Sequence, residues 1–170
     1  MEPYDSKSQL HAVVEQTANN TTTWIGHRPG ETVNRISGQT FICPEEGDLS
    51  CIEIFSAYVN QNGPVELTIH DFDRADKTWG PVIGGATVEF KRNETGKWIA
   101  FPIAGLHLQK NGSYGFRLKS EAVLAGLGEA AGSYDHLPYT DGQEWYAYSG
   151  DQPGNFYSYL SLSFKVEMRA

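Results

Sequence analysis

The sequence predicts an all-β chain, an antiparallel β-sandwich of about eight to ten strands, on three observations. Apolar and other residues alternate in short runs: Ile99, Phe101 and Ile103 with Ala100 and Pro102, then Tyr114, Phe116 and Leu118 with Gly115, Arg117 and Lys119. A period of two puts one face of a strand in a core and the other in water. The runs are punctuated by turn formers such as Asn60-Gln61-Asn62-Gly63-Pro64 and Lys110-Asn111-Gly112. No segment shows the apolar period of the helices that cover a parallel sheet, which removes the α/β classes.

Residues 1–30 are the least patterned part of what reads as a single domain spanning residues 1–170. Leu10, Val13 and Val14 fit a helical turn or a short strand, and Thr21, Thr22, Thr23 and Trp24 after them favour extended chain. His27-Arg28-Pro29-Gly30 is a turn. Gln39 to Cys43 and Leu49 to Val59 read as a strand pair around the acidic turn Pro44-Glu45-Glu46-Gly47-Asp48. Val65, Leu67 and Ile69 alternate with Glu66, Thr68 and His70, and a polar loop from Asp71 to Pro81 follows. Ala86, Val88 and Phe90 form the next strand, and Lys91 to Gly96 a charged turn. Glu121 to Gly132 is aliphatic and rich in glycine, with one helical turn or a short edge strand as the options. Ser133 to Tyr159 is too long for a structureless connection, so a strand is expected near Glu144 to Ser149, where Trp145, Tyr146 and Tyr148 suit a sheet. The last run is the most regular: Leu160, Leu162, Phe164, Val166 and Met168 point one way, and such a strand is expected to be paired on both sides.

With 170 residues the chain is long enough to bury a core without a covalent staple. Its 21 acidic and 13 basic residues, net charge −8, exclude a nucleic-acid or anionic-membrane surface, both of which need clustered Lys and Arg. There is no run of apolar residues long enough for a membrane span, and Met1 to Leu10 has neither the basic start nor the apolar core of a secretory leader. The chain therefore reads as soluble, and an extracellular or periplasmic location would require a signal peptide already removed. Composition leaves the compartment and the oligomeric state open. Cys43 and Cys51 flank the acidic turn, either as a disulfide across a hairpin or as two buried thiols in neighbouring strands.

Gln39-Thr40-Phe41 before an acidic turn, Gly96-Lys97-Trp98 opening a strand, Leu106-His107-Leu108 with Gly112-Ser113-Tyr114-Gly115-Phe116-Arg117-Leu118, and the final Leu160-Ser161-Leu162-Ser163-Phe164 together carry a resemblance. Over residues 35–168 the order of these core positions resembles the galactose-binding-like jelly roll of many carbohydrate-binding modules. The resemblance implies a jelly-roll sandwich and a non-catalytic role, with structural calcium a common companion. It is a pattern of core positions and transfers no ligand-binding residue.

The residues themselves suggest where chemistry would sit. Asp71, Asp73 and Asp76 cluster after a strand and offer the oxygen ligands that Ca²⁺ takes, the alternative being a solvated loop pairing Arg74 or Lys77. As an EF-hand the spacing fails, with Asp76 at the glycine position and Val82 at the final glutamate. Glu45, Glu46 and Asp48 pose the same question. Gly126 to Gly132 lacks the strand-to-helix setting of a dinucleotide loop, and His11, His27, His70, His107 and His136 have no zinc spacing. No nucleophile elbow occurs, so serine and cysteine hydrolases have no support.

The aromatic residues are the informative group: many lie in polar surroundings, and flat rings flanked by hydrogen-bonding side chains suit the apolar faces and hydroxyl rim of a sugar. The expected platform is Trp79 and Trp145, with Tyr148 near them and Asp73, Arg74, Gln143 and Glu144 supplying hydrogen bonds. The expected function is a carbohydrate-binding module that is not an enzyme and requires no cofactor. The alternatives are a structural or protein-interaction sandwich and a glycoside hydrolase working through paired carboxylates.

Overall fold

The computed structural model describes residues 10–149 and 154–169. Its strands are β1 (Leu10–Gln16), β2 (Thr21–His27), β3 (Asn34–Ile42), β4 (Gly47–Val59), β5 (Gly63–Asp73), β6 (Thr78–Phe90), β7 (Lys97–Leu108), β8 (Ser113–Lys119), β9 (Leu124–Ala131), β10 (Glu144–Tyr148), β11 (Asn155–Tyr157), β12 (Leu160–Leu162) and β13 (Phe164–Arg169). A single 3₁₀ turn, Arg92–Glu94, is the only helical element among the described residues. None of these residues forms a helix long and apolar enough to cross a membrane.

Every strand pairing is antiparallel. One layer runs β1-β13-β4-β7 and the other β10-β3-β8-β5-β6, while β9 and β2 join them along one side. The joint arises because β4, 13 residues long, outlasts β13. Beyond Ile54, its pairing with β13 ended, β4 takes β9 at Ser56 to Val59; β9 pairs β2, and β2 meets β3 at Gly26 and His27. The apolar faces meet around Phe41, Phe116 and Phe164, whose ring centroids lie 5.7 to 6.5 Å apart. Ile54, Leu67, Phe101 and Leu162 are buried with them, and Val88 is half-buried against the same core.

The strands exceed the number expected from sequence because the aromatic segment after Gly132 is cut into the short pieces β10, β11 and β12. The glycine-punctuated stretch is an internal strand: β9 pairs β2, β4 and β12, a position that its small residues leave room for. The last run is not one strand but breaks at Ser163: β13 is paired on both sides, by β1 and β4, as expected, whereas Leu160–Leu162 forms the separate β12 on β9.

The runs flanking the acidic turn do not form the expected pair. β3 pairs β8, β2 and β10, whereas β4 pairs β13, β7 and β9, so the turn crosses between layers. Lys110 to Gly112 is a second crossing, from β7 to β8. The two crossings hold each other, with Asn111 N–H donating to the Cys43 carbonyl at 2.6 Å and Cys43 N–H to the Gly112 carbonyl at 2.9 Å. A period of two fixes which face of a strand is dry; it does not choose the partner strand. Cys43 and Cys51 consequently remain free, buried thiols. The first donates to the Glu45 carbonyl at 3.0 Å and the second to Glu167 Oε1 at 2.9 Å.

Candidate binding site

The expected loop from Asp71 to Pro81 is mostly a hairpin. Phe72 pairs Trp79 and Asp73 pairs Thr78, leaving Arg74 to Lys77 as the turn. Asp73 Oδ1 accepts the Asp76 N–H at 3.0 Å, the local bond that makes Asp a turn residue, and Lys77 closes the turn at φ 53°. Against this hairpin lies the connection between β9 and β10. It is pinned first where Gly132 N–H donates to the Tyr159 carbonyl at 2.8 Å. It is pinned again at β3, where Thr40 N–H donates to the Gln143 carbonyl at 3.0 Å and Gln143 N–H to Thr40 Oγ1 at 2.9 Å. Gly142 permits that approach, since a Cβ there would collide with the Thr40 carbonyl oxygen.

Between hairpin and connection is a cavity of about 180 Å³. Phe72 and Leu137 supply apolar walls, Thr40, Thr140, Gln143 and Ser158 supply hydroxyl and amide groups, and Arg74 and Lys77 supply two cations. Among the described residues no carboxylate lines it. Pockets for drug-sized ligands run to about 300–1,000 Å³, so this one suits a single ring or a short polar group.

An aromatic layer stands behind Phe72 on the outer face of the β10-β3-β8-β5-β6 sheet. Trp79 lies 5.3 Å from Phe72 and 5.3 Å from Trp145, and 6.3 Å from Phe156, centroid to centroid. Gly38 and Gly115 are its floor: a Cβ on either would press on the Trp79 ring. The Arg117 guanidinium sits over both indoles, 4.4 Å from Trp79 and 4.3 Å from Trp145. Such cation–π contacts contribute about 0.5–2 kcal/mol each, depending on desolvation. Burial holds the guanidinium below its usual pKa, and both Arg117 Nε and Trp79 Nε1 are buried without a hydrogen-bond partner. His70 packs 5.3 Å from Trp79 and is a sheet histidine hydrogen-bonded on both sides, to Thr68 Oγ1 at 2.8 Å and the Gly80 carbonyl at 3.1 Å. Burial lowers its pKa, which keeps the ring neutral.

The residues expected at the site divide accordingly. Arg74 and Gln143 line the cavity, and Trp79 and Trp145 come together behind it. Trp145 is fully buried and offers a ligand no face; it packs the sheet. Asp73 is exposed on the hairpin and spends one oxygen on the turn. Glu144 points to the opposite side of β10 and is buried, and Tyr148, four residues further along, packs on Tyr146 at 5.5 Å under Arg35. The sequence does not point to Phe72, Thr40, Thr140, Leu137 or Ser158 as site residues, and it names Lys77 only as a partner for the acidic cluster. Phe72 and Lys77 lie inside the polar segment from Asp71 to Pro81, whereas Thr40 and Ser158 carry no local signal.

Asp71, Asp73 and Asp76 do not gather their oxygens. Among the described residues the one group of three ligating side chains within 4.8 Å is Cys51, Glu53 and Glu167, on the outer face of the other layer. There the Glu53 carboxyl, hydrogen-bonded to Glu167 and partly buried, is pushed up to about 7, while Glu167 is held low by its donors Glu53 and Cys51 despite burial. Desolvation and the same Glu167 push the Cys51 thiol up to about 12. A second carboxyl pair is interior: Glu144 is raised by burial and by its hydrogen bond to Glu129, and its Oε1 has no partner. The acidic turn is met by histidines, with His107 Nδ1 at 2.8 Å from Asp48, His107 Nε2 at 2.8 Å from Glu46, and His11 at 3.2 Å from Glu45.

Scanned against models of known protein families, the chain matches none. A search of curated proteins returns no match.

Proposed function

We propose that this chain is a non-catalytic binding module for carbohydrate, a jelly roll of the galactose-binding-like kind, and that its ligand enters the cavity between the β5–β6 hairpin and residues 137–143. The observation that carries this is the lining: apolar walls from Phe72 and Leu137 opposite four neutral hydrogen-bonding side chains, Thr40, Thr140, Gln143 and Ser158. A pyranose presents C–H faces and hydroxyls in that combination. The two sides of the cavity belong to a rigid sheet and to a connection pinned at both ends, which limits the ordering cost of binding.

A glycoside hydrolase finds less support. Its acid and base stand about 5 to 10 Å apart around a cleft, whereas Glu53 with Glu167 and Glu144 with Glu129 are in direct hydrogen bond and none of these four lines the cavity. A protein-interaction role draws on one observation, the exposed pair Trp24 and Tyr58, edge to face at 5.8 Å over the glycine-bearing β9. A glycan array read with wild type and with Gln143→Ala separates these. Carbohydrate binding that the substitution removes, with the melting temperature unchanged, supports the proposal; an array blank for wild type at millimolar sugar ends it.

A further inference from the structure

We infer that the cavity selects a sugar carrying a negative charge, a uronate in preference to a neutral hexose; this rests on the carbohydrate proposal and names its substrate class. The chain has 21 acidic and 13 basic residues, so an average stretch of its surface is acidic. The cavity inverts that balance: its described lining residues include two cations and no carboxylate.

Among the described residues neither cation has an ion-pair partner. The ion pairs among the described residues join His11 to Glu45, Arg35 to Glu31, His107 to Glu46 and Asp48, and Lys119 to Glu66, and none uses Arg74 or Lys77. Asp73, beside Arg74, turns its Oδ1 to the Asp76 N–H, and Asp141, beside the lining residues Thr140 and Gly142, lines a different cavity with Tyr139. Lys77 also occupies the left-handed position of the turn, φ 53°, where glycine is the usual choice because a Cβ crowds the backbone there. The hairpin thus keeps a lysine where its turn would favour a residue with no side chain, and that lysine lines the cavity.

The chemistry that fits is one anionic group on one ring. A guanidinium presents a planar fork that matches a carboxylate, an ammonium adds a point charge, and the apolar and hydroxyl groups opposite receive the sugar. A sulfated sugar offers the same charge with a third oxygen, and so enters the test as a separate ligand.

Binding is measured by calorimetry and by ligand-observed NMR for galacturonate, glucuronate, galactose, galactose 6-sulfate and acetate, at low and at high salt. The uronates are expected to bind about tenfold or more tighter than galactose at low salt, a charged hydrogen bond being at stake, and to lose much of that margin at high salt. In Arg74→Gln/Lys77→Gln the ratio of uronate to galactose affinity falls to about one, while Lys110→Gln, an exposed cation outside the cavity, keeps the wild-type ratio. Galactose binding as tightly as the uronates overturns the charge selection and leaves the carbohydrate proposal standing. Binding of galactose 6-sulfate alone overturns the choice of carboxylate. Acetate as tight as the uronates overturns the sugar part, and silence toward every sugar removes the carbohydrate proposal itself.

Discussion

Single side chains in this protein are set by what their neighbours do with a proton. His107 stands between Glu46 and Asp48, and these hydrogen bonds raise its pKa above the ordinary imidazole value. The bridge across the acidic turn is present below that ordinary value, near 6.5, and is lost as pH rises through the raised one. NMR titration is expected to give His107 a midpoint above 6.5, moved down in Glu46→Gln/Asp48→Asn; a midpoint at or below 6.5 in wild type contradicts the bridge. Glu144 works in the opposite chemical direction with the same sign. Buried against Glu129, it folds protonated, so the folded state holds a proton that the unfolded chain releases above about pH 4. Stability is full below that pH and falls as pH rises toward the raised value, by at most about 1.4 kcal/mol per unit. Glu144→Gln keeps a donor for Glu129 and removes the titration. Its melting temperature relative to wild type is expected to climb between pH 5 and pH 9, and a constant difference refutes the buried proton.

At the scale of elements, two short clamps position the candidate site. The hairpin is set by its Asp73 turn and by Phe72 against Phe156, and the opposing connection by the Thr40–Gln143 bonds that Gly142 makes room for. Gly142→Val is expected to push the connection off β3, because the obstacle is the Thr40 backbone, which cannot turn aside. Two hydrogen bonds and the cavity wall go with it, a loss of about 1–3 kcal/mol. Hydrogen exchange at Thr40 and Gln143 reports the break directly. Unchanged protection there would mean that the connection is held by something other than this clamp.

Over the whole molecule, stability resides where the two layers meet. Phe41, Phe116 and Phe164 come from β3, β8 and β13 and are fully buried. Phe116→Ala is expected to cost about 3–5 kcal/mol, a large share of the roughly 5–15 kcal/mol that holds a domain folded. Chemical denaturation measures it, and a loss under about 1 kcal/mol would contradict this packing. Trp79→Ala removes a ring from the outer face, one layer away from that core, and a smaller loss is expected there. The joining strands β9 and β2 are held by the long β4, so the sandwich closes on that side through backbone pairing.

The sequence by itself determined the all-β class and the dry face of most strands, because a period of two follows from the geometry of a single strand and needs no partner. It marked Phe41, Phe116 and Phe164 as core for the same reason, and it marked Arg74, Trp79, Gln143 and Trp145 because charge and aromatic rings in polar segments are local signals. Only the tertiary structure decided which strands pair. A turn states that the chain reverses, and whether it returns beside its neighbour or crosses to the other layer depends on the competition among all the strands. That competition parted Cys43 from Cys51 and carried Cys51 to Glu167. It also buried Trp145 and Glu144 on opposite faces of β10, and brought Thr40 and Ser158, which nothing local distinguishes, into one cavity with Arg74 and Lys77.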